Sequence, residues 1–403
     1  MSRTARRLVR VLCLAVFLQW LGASAILPLL PIFVRREGGS DAVVGAVMGA
    51  YFIAALICQY PAGRAADRIG RLPVLIAGLL TYALGSLLFI VPADPALGVV
   101  FRGLQGAGAG ASEVAALAMV SQVIPIALRG RAFGSIFGAQ LGGMAVGPLL
   151  GSLAGVGAMN TLFLAAAVAA LAACVPVVLG TPTELRHGVA NPRQRVGLPH
   201  LGRPIVGAVL AAGALGLTIG VYEACWTLLL DHRGAADWQI GLSWTLFAVP
   251  FVAMSRPGGW LADHFDRRWL VVAALGWSVA FCATYPFLHQ VVLLVALGSI
   301  EAAGFAVALP SVQSLLSQGS SAEELGRVQG LYATSETAAT AVAAGCGGAL
   351  FGVAVWLPFV SSAVCAFVLI VATAIVWLPV TGKVAHLGAD RTMPDPTAGP
   401  ARA

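Results

Sequence analysis

The sequence predicts an all-α integral membrane protein in which twelve transmembrane helices form two pseudo-symmetric six-helix halves around a central cavity. Of the 403 residues, 59% are hydrophobic and 10% are charged, whereas about 25% of the residues in a soluble domain are charged. The apolar residues gather into runs long enough, at about 18 to 26 residues, to cross hydrocarbon about 30 Å thick. A segment of the first half also returns in the second half.

Twelve apolar runs define the predicted spans. They cover residues 8–34, 43–62, 72–91, 97–121, 133–156, 158–179, 204–230, 239–258, 269–287, 291–316, 329–352 and 355–379. The 48 glycines and 22 prolines suit such spans, because Gly lets membrane helices approach and neighbouring helices satisfy the backbone groups that Pro frees. We therefore expect a first half at 1–180, a cytoplasmic linker at 181–203, a second half at 204–380 and a disordered cytoplasmic tail at 381–403.

The basic residues indicate the topology. With a cytoplasmic N-terminus, 20 of the 24 Lys and Arg residues lie inside and three lie outside, as the positive-inside rule requires. This predicts a multi-pass protein of the cell (inner) membrane with both termini cytoplasmic. An alternative is that the Arg-rich start and Ala23-Ser24-Ala25 form a cleaved signal peptide, which would leave eleven spans and disturb the charge distribution.

Other classes of site find little support. The basic residues are spread over short loops rather than gathered into a patch, so no nucleic acid partner is expected. The seven cysteines all fall in apolar runs without a CxxC pair or a Cys/His cluster, so we interpret them as packing residues and expect no metal or other cofactor.

An internal repeat relates the two halves. The stretch from Pro61 to Arg71 returns as Pro257 to Arg267, at an offset of 196 that also pairs Gly45 with Gly241 and Gly108 with Gly304, and residues 130–134 with 326–330. Six spans per half make these parallel repeats, which can rock about a midplane site and expose it to each side in turn. The repeat predicts a carrier of solutes.

Several motifs within residues 8–380 carry a family resemblance. The segment from Gly63 to Arg71 resembles the signature between spans two and three of the major facilitator superfamily, although Leu72 stands where a second basic residue is common. The stretch from Arg102 to Gly108 is similar to the fourth-span motif of its proton-coupled members.

Two further motifs resemble those of drug/proton exporters. Gly138, followed by Gly147-Pro148 and Gly151, is similar to their fifth-span motif, and the first-span motif of their twelve-helix branch is matched around Pro28 and Pro31. The eleventh-span motif lacks its proline. This resemblance implies proton-coupled efflux of a small organic molecule or drug.

The repeated segment has two interpretations. As a conformational latch between the halves, it would act through the residues Gly63, Asp67, Arg71, Gly259, Asp263, Arg267, Arg131 and Arg327. Gly63 would form a tight turn, and Asp266 could share the role of Asp263. The alternative is a solvated loop that follows the positive-inside rule.

The glycines and prolines of the exporter-like motifs predict hinges. Gly138, Gly142 and Gly147 would share one helix face that allows close backbone contact, and Pro148 would bend the span. Plain helix packing explains the glycines alone equally well.

Five ionisable residues lie inside the predicted spans, where each costs several kcal/mol unless paired or hydrated: Arg102, Glu113, Glu223, Glu301 and Glu336. The offset maps Gln105 onto Glu301, so we expect Glu301 to line the cavity near Arg102 and to couple proton movement. Glu113 and Glu336 lie nearer the cytoplasmic ends.

Glu223 has aromatic neighbours in the sequence. Together with Tyr222 and Trp226 it could hold a proton or face a flat organic cation. The alternative is an interfacial aromatic belt beside a near-surface carboxylate.

The leading functional prediction is export of a small organic molecule against proton entry by a monomeric carrier in the lipid bilayer. A proton-coupled uptake symporter stays open, because the fold does not determine the direction. An intramembrane enzyme would need a nucleophilic or metal-binding constellation within the spans, and a receptor would need a signalling domain.

The topology is testable by cysteine labelling. Gly38→Cys and Ala235→Cys are expected to react with a membrane-impermeant maleimide added outside, whereas Ala190→Cys is not, since it lies in the predicted cytoplasmic linker. Outside labelling at position 190 would contradict both the linker and the repeat.

Overall fold

The computed structural model describes residues 3–181, 201–318 and 325–380, and these contain helices and turns but no β-strand. Nearly all of the predicted linker and the whole predicted tail lie outside the described residues. Twelve helices of 18 residues or more occur in the described part. The first six are α1 (Arg3–Ile26), α2 (Asp41–Ile69), α3 (Arg71–Leu88), α4 (Gly98–Val123), α5 (Ile126–Ala154) and α6 (Met159–Gly180).

The other six are α7 (Arg203–His232), α8 (Asp237–His264), α9 (Arg267–Thr284), α10 (Val291–Gln318), α11 (Leu325–Val353) and α12 (Leu357–Trp377). Below, α1–α6 are the N-terminal set and α7–α12 the C-terminal set. Each predicted span overlaps one of these helices, and the first extends beyond α1. Ten of them are long and apolar enough to cross a membrane, and α4 and α8 are the other two. The all-α membrane fold is confirmed.

The first predicted span is interrupted. α1 ends at Ile26, residues 27–29 form a turn, and a short helix follows at Leu30–Arg36. Pro28 lies in the turn and Pro31 in the first helical turn that follows. Proline has no N–H to donate, so the hydrogen-bond ladder of α1 ends here and a separate short helix follows.

The two sets meet through helices packed at very short range. α2 packs on α11, where a Cβ atom on Gly45 would lie 2.7 Å from the backbone nitrogen of Gly348. α5 packs on α8, where a Cβ atom on Gly241 would lie 2.5 Å from the carbonyl oxygen of Pro148 and would also overlap Ser152. Because side chains would separate these backbones, small residues are required.

These two crossings are related by the sequence repeat. The offset of 196 maps Gly45 onto Gly241 and Ser152 onto Gly348, so the α2–α11 contact is the counterpart of the α8–α5 contact. The repeated segments therefore occupy corresponding places in the two sets.

Charged groups join the sets beyond these crossings. In the short helix, Arg35 pairs with Asp41 of α2 at 2.8 Å and lies 3.7 Å from Asp231 of α7. At the start of α8, Asp237 accepts a hydrogen bond of 2.8 Å from the backbone N–H of Val156 in the N-terminal set. These contacts lie at one end of the molecule, which we call the Asp41 end.

Buried apolar residues follow the same division. One hydrophobic cluster at the Asp41 end includes residues of both sets, such as Val44, Phe163 and Phe359. Towards the opposite end, which we call the Arg3 end, the described core residues form separate clusters, one around Leu8 and Leu79 of the N-terminal set and one in the C-terminal set. The structure is thus closed at the Asp41 end.

The glycine crossing can be tested by adding bulk. Gly348→Leu is expected to force the Asp41 end open, since its side chain would overlap the backbone of Asp41 and Gly45. A cysteine at Val44, which is fully buried, would then react with a maleimide about tenfold faster. A tenfold increase corresponds to a change of about 1.4 kcal/mol in the free-energy difference between the closed and the open end.

Gly330→Leu is the matched control, because a Cβ atom at Gly330 of the same helix meets nothing within 4 Å. Equal labelling of the two variants would show that close packing at Gly348 does not hold the end closed.

Candidate functional site

Glu301 occupies a closed polar pocket in the C-terminal set. Its side chain extends from the middle of α10 and is 1% exposed. Oε1 accepts hydrogen bonds from the hydroxyl of Tyr222 at 2.9 Å and from the hydroxyl of Ser278. Oε2 accepts a hydrogen bond of 2.7 Å from the hydroxyl of Tyr285. Three O–H donors from α7, α9 and the turn after α9 therefore satisfy one buried carboxylate.

An aromatic cluster surrounds this pocket. The ring centroids of Tyr222, Trp226 and Tyr285 lie 5.0 to 6.1 Å apart in edge-to-face arrangements. The indole N–H of Trp226 donates to Ser243 of α8 at 2.9 Å. Trp226 is 7% exposed, and its ring packs against the rings of Tyr222 and Tyr285.

The residues Tyr222–Trp226 form a π-helical stretch within α7. Such stretches widen a helix by one residue per turn and occur frequently at functional sites. This stretch packs against α2 of the opposite set and against α11. Glu223 is half-buried here, and its Oε2 atom is buried without a hydrogen-bond partner.

Arg102 lies opposite Glu223, in the N-terminal set. Its guanidinium donates to Gln105 at 2.8 Å and lies 4.5 Å from the ring centroid of Tyr51. Gln105 in turn donates to Ser86 of α3 at 2.9 Å. Arg102 is 3% exposed, and its Nε atom has no hydrogen-bond partner. The charges of Arg102 and Glu223 are close enough to interact across the boundary between the sets.

The expected neighbours of Glu301 are different from those observed. The sequence suggested Arg102 as its cationic neighbour, but the described contacts of Glu301 are the three hydroxyls, and Arg102 is directed to Gln105 and Tyr51. The reason is that Glu301 points into its own set, whereas Arg102 belongs to the opposite one.

Glu113 and Glu336 form a second, more open pair. Glu113 on α4 is exposed and Glu336 on α11 is half-buried, and their charges are close enough to interact. Tyr51 is within electrostatic range of Glu113, Glu223 and Arg102. Electrostatic interactions therefore link four of the five intramembrane ionisable groups across the boundary between the sets, whereas Glu301 is bonded within the C-terminal set.

The predicted latch segments lie within helices rather than in loops. Gly63 and Asp67 belong to α2, which continues to Ile69. The expected tight turn at Gly63 is therefore wrong: the turn residue is Gly70, whose φ of +106° favours a residue without a Cβ atom. Arg71 donates to Gln122 of α4, and Asp67 is exposed.

In the C-terminal set, Gly259 and Asp263 likewise lie within α8. Arg267 donates to the carbonyl of Ala262 at 2.8 Å and lies 3.7 Å from Asp263. Asp266 caps α9 and pairs with Arg268, which also donates to the carbonyl of Trp377 at 3.0 Å. Arg131 is exposed and Arg327 is half-buried. These bonds of Arg267, Asp266 and Arg268 all stay within the C-terminal set.

The glycines of α5 that closely approach another helix are only partly those that the sequence predicts. A Cβ atom on Gly138 would meet nothing within 4 Å, so close contact at this position was a wrong expectation. Gly143, Gly147 and Gly151 make the close approach to α1, around Leu21 and Ala25. Their regular spacing of four keeps them on one helix face. Pro148 lies inside α5, which continues to Ala154.

Several residues of the site were missed from the sequence. Tyr51, Ser86, Ser243, Ser278 and Tyr285 are common residue types in apolar runs, and their convergence depends on packing. One signal was available for Ser278: the offset maps Tyr82 of α3 onto Ser278 and Gln105 onto Glu301, so both sets carry polar residues at the same helix pair.

The arrangement can perform two kinds of chemistry. A carboxylate enclosed by hydroxyls can bind and release a proton without rearranging the backbone, because each hydroxyl can rotate to donate or accept. Arg102 beside the ring of Tyr51, with Glu223 within electrostatic range, places charged and aromatic groups at the boundary between the sets. No group of three His, Cys, Asp or Glu side chains converges among the described residues.

Comparisons with known proteins agree with this architecture. The chain is 26% identical to multidrug resistance protein 2 of Bacillus subtilis (strain 168) over 357 residues, which covers 85% of this chain and 88% of that protein. It is 27% identical to the class E tetracycline resistance protein of Escherichia coli over 357 residues, 83% of this chain and 85% of that protein.

Solved structures show the same fold. A bacterial homologue of the human lysosomal transporter Spinster, in an inward-facing and unoccupied conformation, superposes with a TM-score of 0.72 at 14% identity, covering 94% of this chain and 97% of that one. A D-xylose–proton symporter superposes with a TM-score of 0.74 at 15% identity, covering 93% and 98%.

A family model described as Major Facilitator Superfamily matches residues 12–230 and again residues 206–398. Together the two matches span almost the whole chain, which agrees with the motifs and with the fold. The protein is a multi-pass membrane transporter of small molecules, not an enzyme, and the chain belongs to the major facilitator superfamily.

Proposed function

We propose that the protein exports small organic molecules in exchange for protons by alternating access. The observation that carries the proposal is the enclosed carboxylate of Glu301, which has hydroxyl partners and no cationic one among its described contacts. A carboxylate removed from water binds a proton more readily than a hydrated one. Glu301 is thus suited to change its charge during transport.

The names of the relatives support export over uptake. The relatives described above are a multidrug resistance protein and a tetracycline resistance protein, and resistance by a transporter requires removal of the compound from the cell. On this basis, we assign the substrate of this chain to small organic molecules or drugs.

The substrate would bind between the two sets. Glu223 and Arg102 lie within electrostatic range of each other there, and Tyr51 lies beside Arg102. A cationic substrate would compete with Arg102 for the carboxylate of Glu223, whose Oε2 atom has no hydrogen-bond partner. The rings of Tyr51 and Tyr222 would add contacts to a flat organic molecule.

The structure, which is closed at the Asp41 end, would represent one state of the transport cycle. If the Arg3 end faces the cytoplasm, as the positive-inside rule predicts, the structure corresponds to the state that collects substrate from inside. Export then requires the crossings at Gly45 and Gly241 to separate. In the opposite state, the end of α2 that carries Asp67 and the end of α8 that carries Asp263 would come together. They would then act as a latch between the two sets of this monomer.

The role of Glu301 is testable with Glu301→Gln, which keeps size and hydrogen bonding but removes the titrating group. In proteoliposomes with an imposed pH gradient, gradient-driven transport of ethidium and tetracycline is expected to fall at least about a hundredfold, in the range of losses of essential proton-transfer groups. Binding of the same probes is expected to survive in part.

The control for Glu301→Gln is Glu37→Gln, a neutralised carboxylate that is exposed beyond the short helix. Undiminished gradient-driven transport by Glu301→Gln would exclude Glu301 as the coupling group. Accumulation of the probes in the direction of proton flow would instead identify an uptake symporter.

The latch is testable with Asp67→Asn. The variant is expected to insert normally but to transport about tenfold more slowly, because the end of α2 loses its negative charge while the space between the sets is unchanged. Transport by right-side-out vesicles and surface labelling of the same preparation measure the two quantities. An unchanged rate at normal surface amount would leave Asp67 with a topological role alone.

A further inference from the structure

The hydrogen-bonded group around Glu301 is buried except at one of its members. Four side chains form the hydrogen-bonded group: Glu301, Ser278, Tyr285 and Tyr222. The first three are 1%, 2% and 1% exposed, respectively. Tyr222 is half-buried, so it is the member of this group with the most exposed side chain. The least enclosed route to Glu301 through this group therefore runs along Tyr222.

The helical stretch that carries Tyr222 lies at the boundary between the sets. Its π-helical stretch packs against α2 of the N-terminal set. The next residue, Glu223, interacts electrostatically with Arg102 of that set. Cys282 also interacts with Tyr222, and its thiol donates to the carbonyl of Phe359 at 3.5 Å. Tyr222 thus hydrogen-bonds to Glu301 within its own set and belongs to a stretch that packs against the other set.

We propose that the hydroxyl of Tyr222 is the passage by which protons reach Glu301 from the space between the sets. The inference rests on the proposed function, because it assigns a route to the coupling group named there. A hydronium ion in the space gives a proton to the Oη atom of Tyr222 and becomes water. At the same time the original O–H bond of Tyr222 breaks, and its proton bonds to Oε1 of Glu301, 2.9 Å from Oη.

The tyrosine is neutral before and after this step, and the charge of Glu301 changes from −1 to zero. Release follows the same path in reverse. After uptake, the Glu301 hydroxyl can donate to Tyr222, whose own O–H is then free to face the space, since a phenol both donates and accepts. Tyr222 is therefore a positioning and relay residue, and the π-helical stretch is what gives its ring this place.

The proposal is tested by following the protonation of Glu301 without a substrate. Purified full-length protein is mixed rapidly from alkaline to acidic buffer, and the C=O stretching band of protonated carboxyl groups is recorded by infrared spectroscopy. The part of this band that is missing in Glu301→Gln belongs to Glu301. Tyr222→Phe is expected to slow the appearance of this part at least about tenfold and to retain its final amplitude.

Tyr285→Phe is the matched control. It also removes one hydroxyl from Glu301 and keeps an aromatic ring, but its side chain is 1% exposed and offers no route to the space. We expect it to slow the band by a much smaller factor than Tyr222→Phe. Slowing in Tyr222→Phe alone supports the passage, whereas equal slowing in both variants, or in neither, overturns it.

The same measurement separates this proposal from the proposed function. If Glu301→Gln loses no part of the band, Glu301 does not titrate and both proposals fail. If the band assigns to Glu301 and Tyr222→Phe shows the wild-type rate, the passage fails while proton coupling at Glu301 stands. If the band behaves as expected but gradient-driven transport of ethidium and tetracycline is absent, the passage stands and the proposed exchange fails.

Discussion

A carboxylate in the middle of a hydrocarbon-spanning helix has to find its hydrogen-bond donors on neighbouring helices, because lipid offers none. At Glu301 this requirement determines the arrangement of three elements. α7 supplies Tyr222, α9 supplies Ser278, and the turn after α9 supplies Tyr285. A shift of any of these elements by one helical turn would leave a charged group unsatisfied. The central part of the C-terminal set is therefore constrained by one side chain.

The N-terminal set meets the same requirement with a neutral group. Gln105 occupies the corresponding position and bonds Arg102 and Ser86 within its own set. An amide does not titrate, so at this position the C-terminal set carries an ionisable carboxyl group and the N-terminal set carries a neutral amide beside Arg102. The two sets have a common architecture, and their difference at this position makes their chemical roles unequal.

Much of the fold could be predicted from the sequence, because spans, repeat and membrane class depend on composition and spacing. All twelve predicted spans fall on helices, and the 196 offset correctly relates the crossings at Gly45 and Gly241. The family resemblance is confirmed by the family model. Local details such as the turn at Gly70 instead of Gly63 were missed, since a motif does not show where a helix ends.

The site was less predictable, for a physical reason. Sequence identifies Glu301 as an unusual residue in an apolar run, but its donors are a serine and two tyrosines whose convergence depends on helix rotation. The expected neighbour, Arg102, was inferred from equivalent positions along the chain. Equivalent positions of a parallel repeat lie in different sets, and each side chain packs within its own. Pseudo-symmetry therefore indicates similar surroundings rather than contact.

The ion pairs at the Asp41 end make closure at that end sensitive to dissolved salt. Arg35 bridges Asp41 and Asp231 in partly exposed surroundings, and exposed charges are screened by dissolved salt within about 8 Å at physiological ionic strength. Closure at this end therefore depends on the electrolyte on that side of the bilayer. Dilute medium on that side would strengthen the ion pairs and concentrated salt would weaken them, so a carrier of this design would shift its resting conformation with the salinity at that face of the membrane.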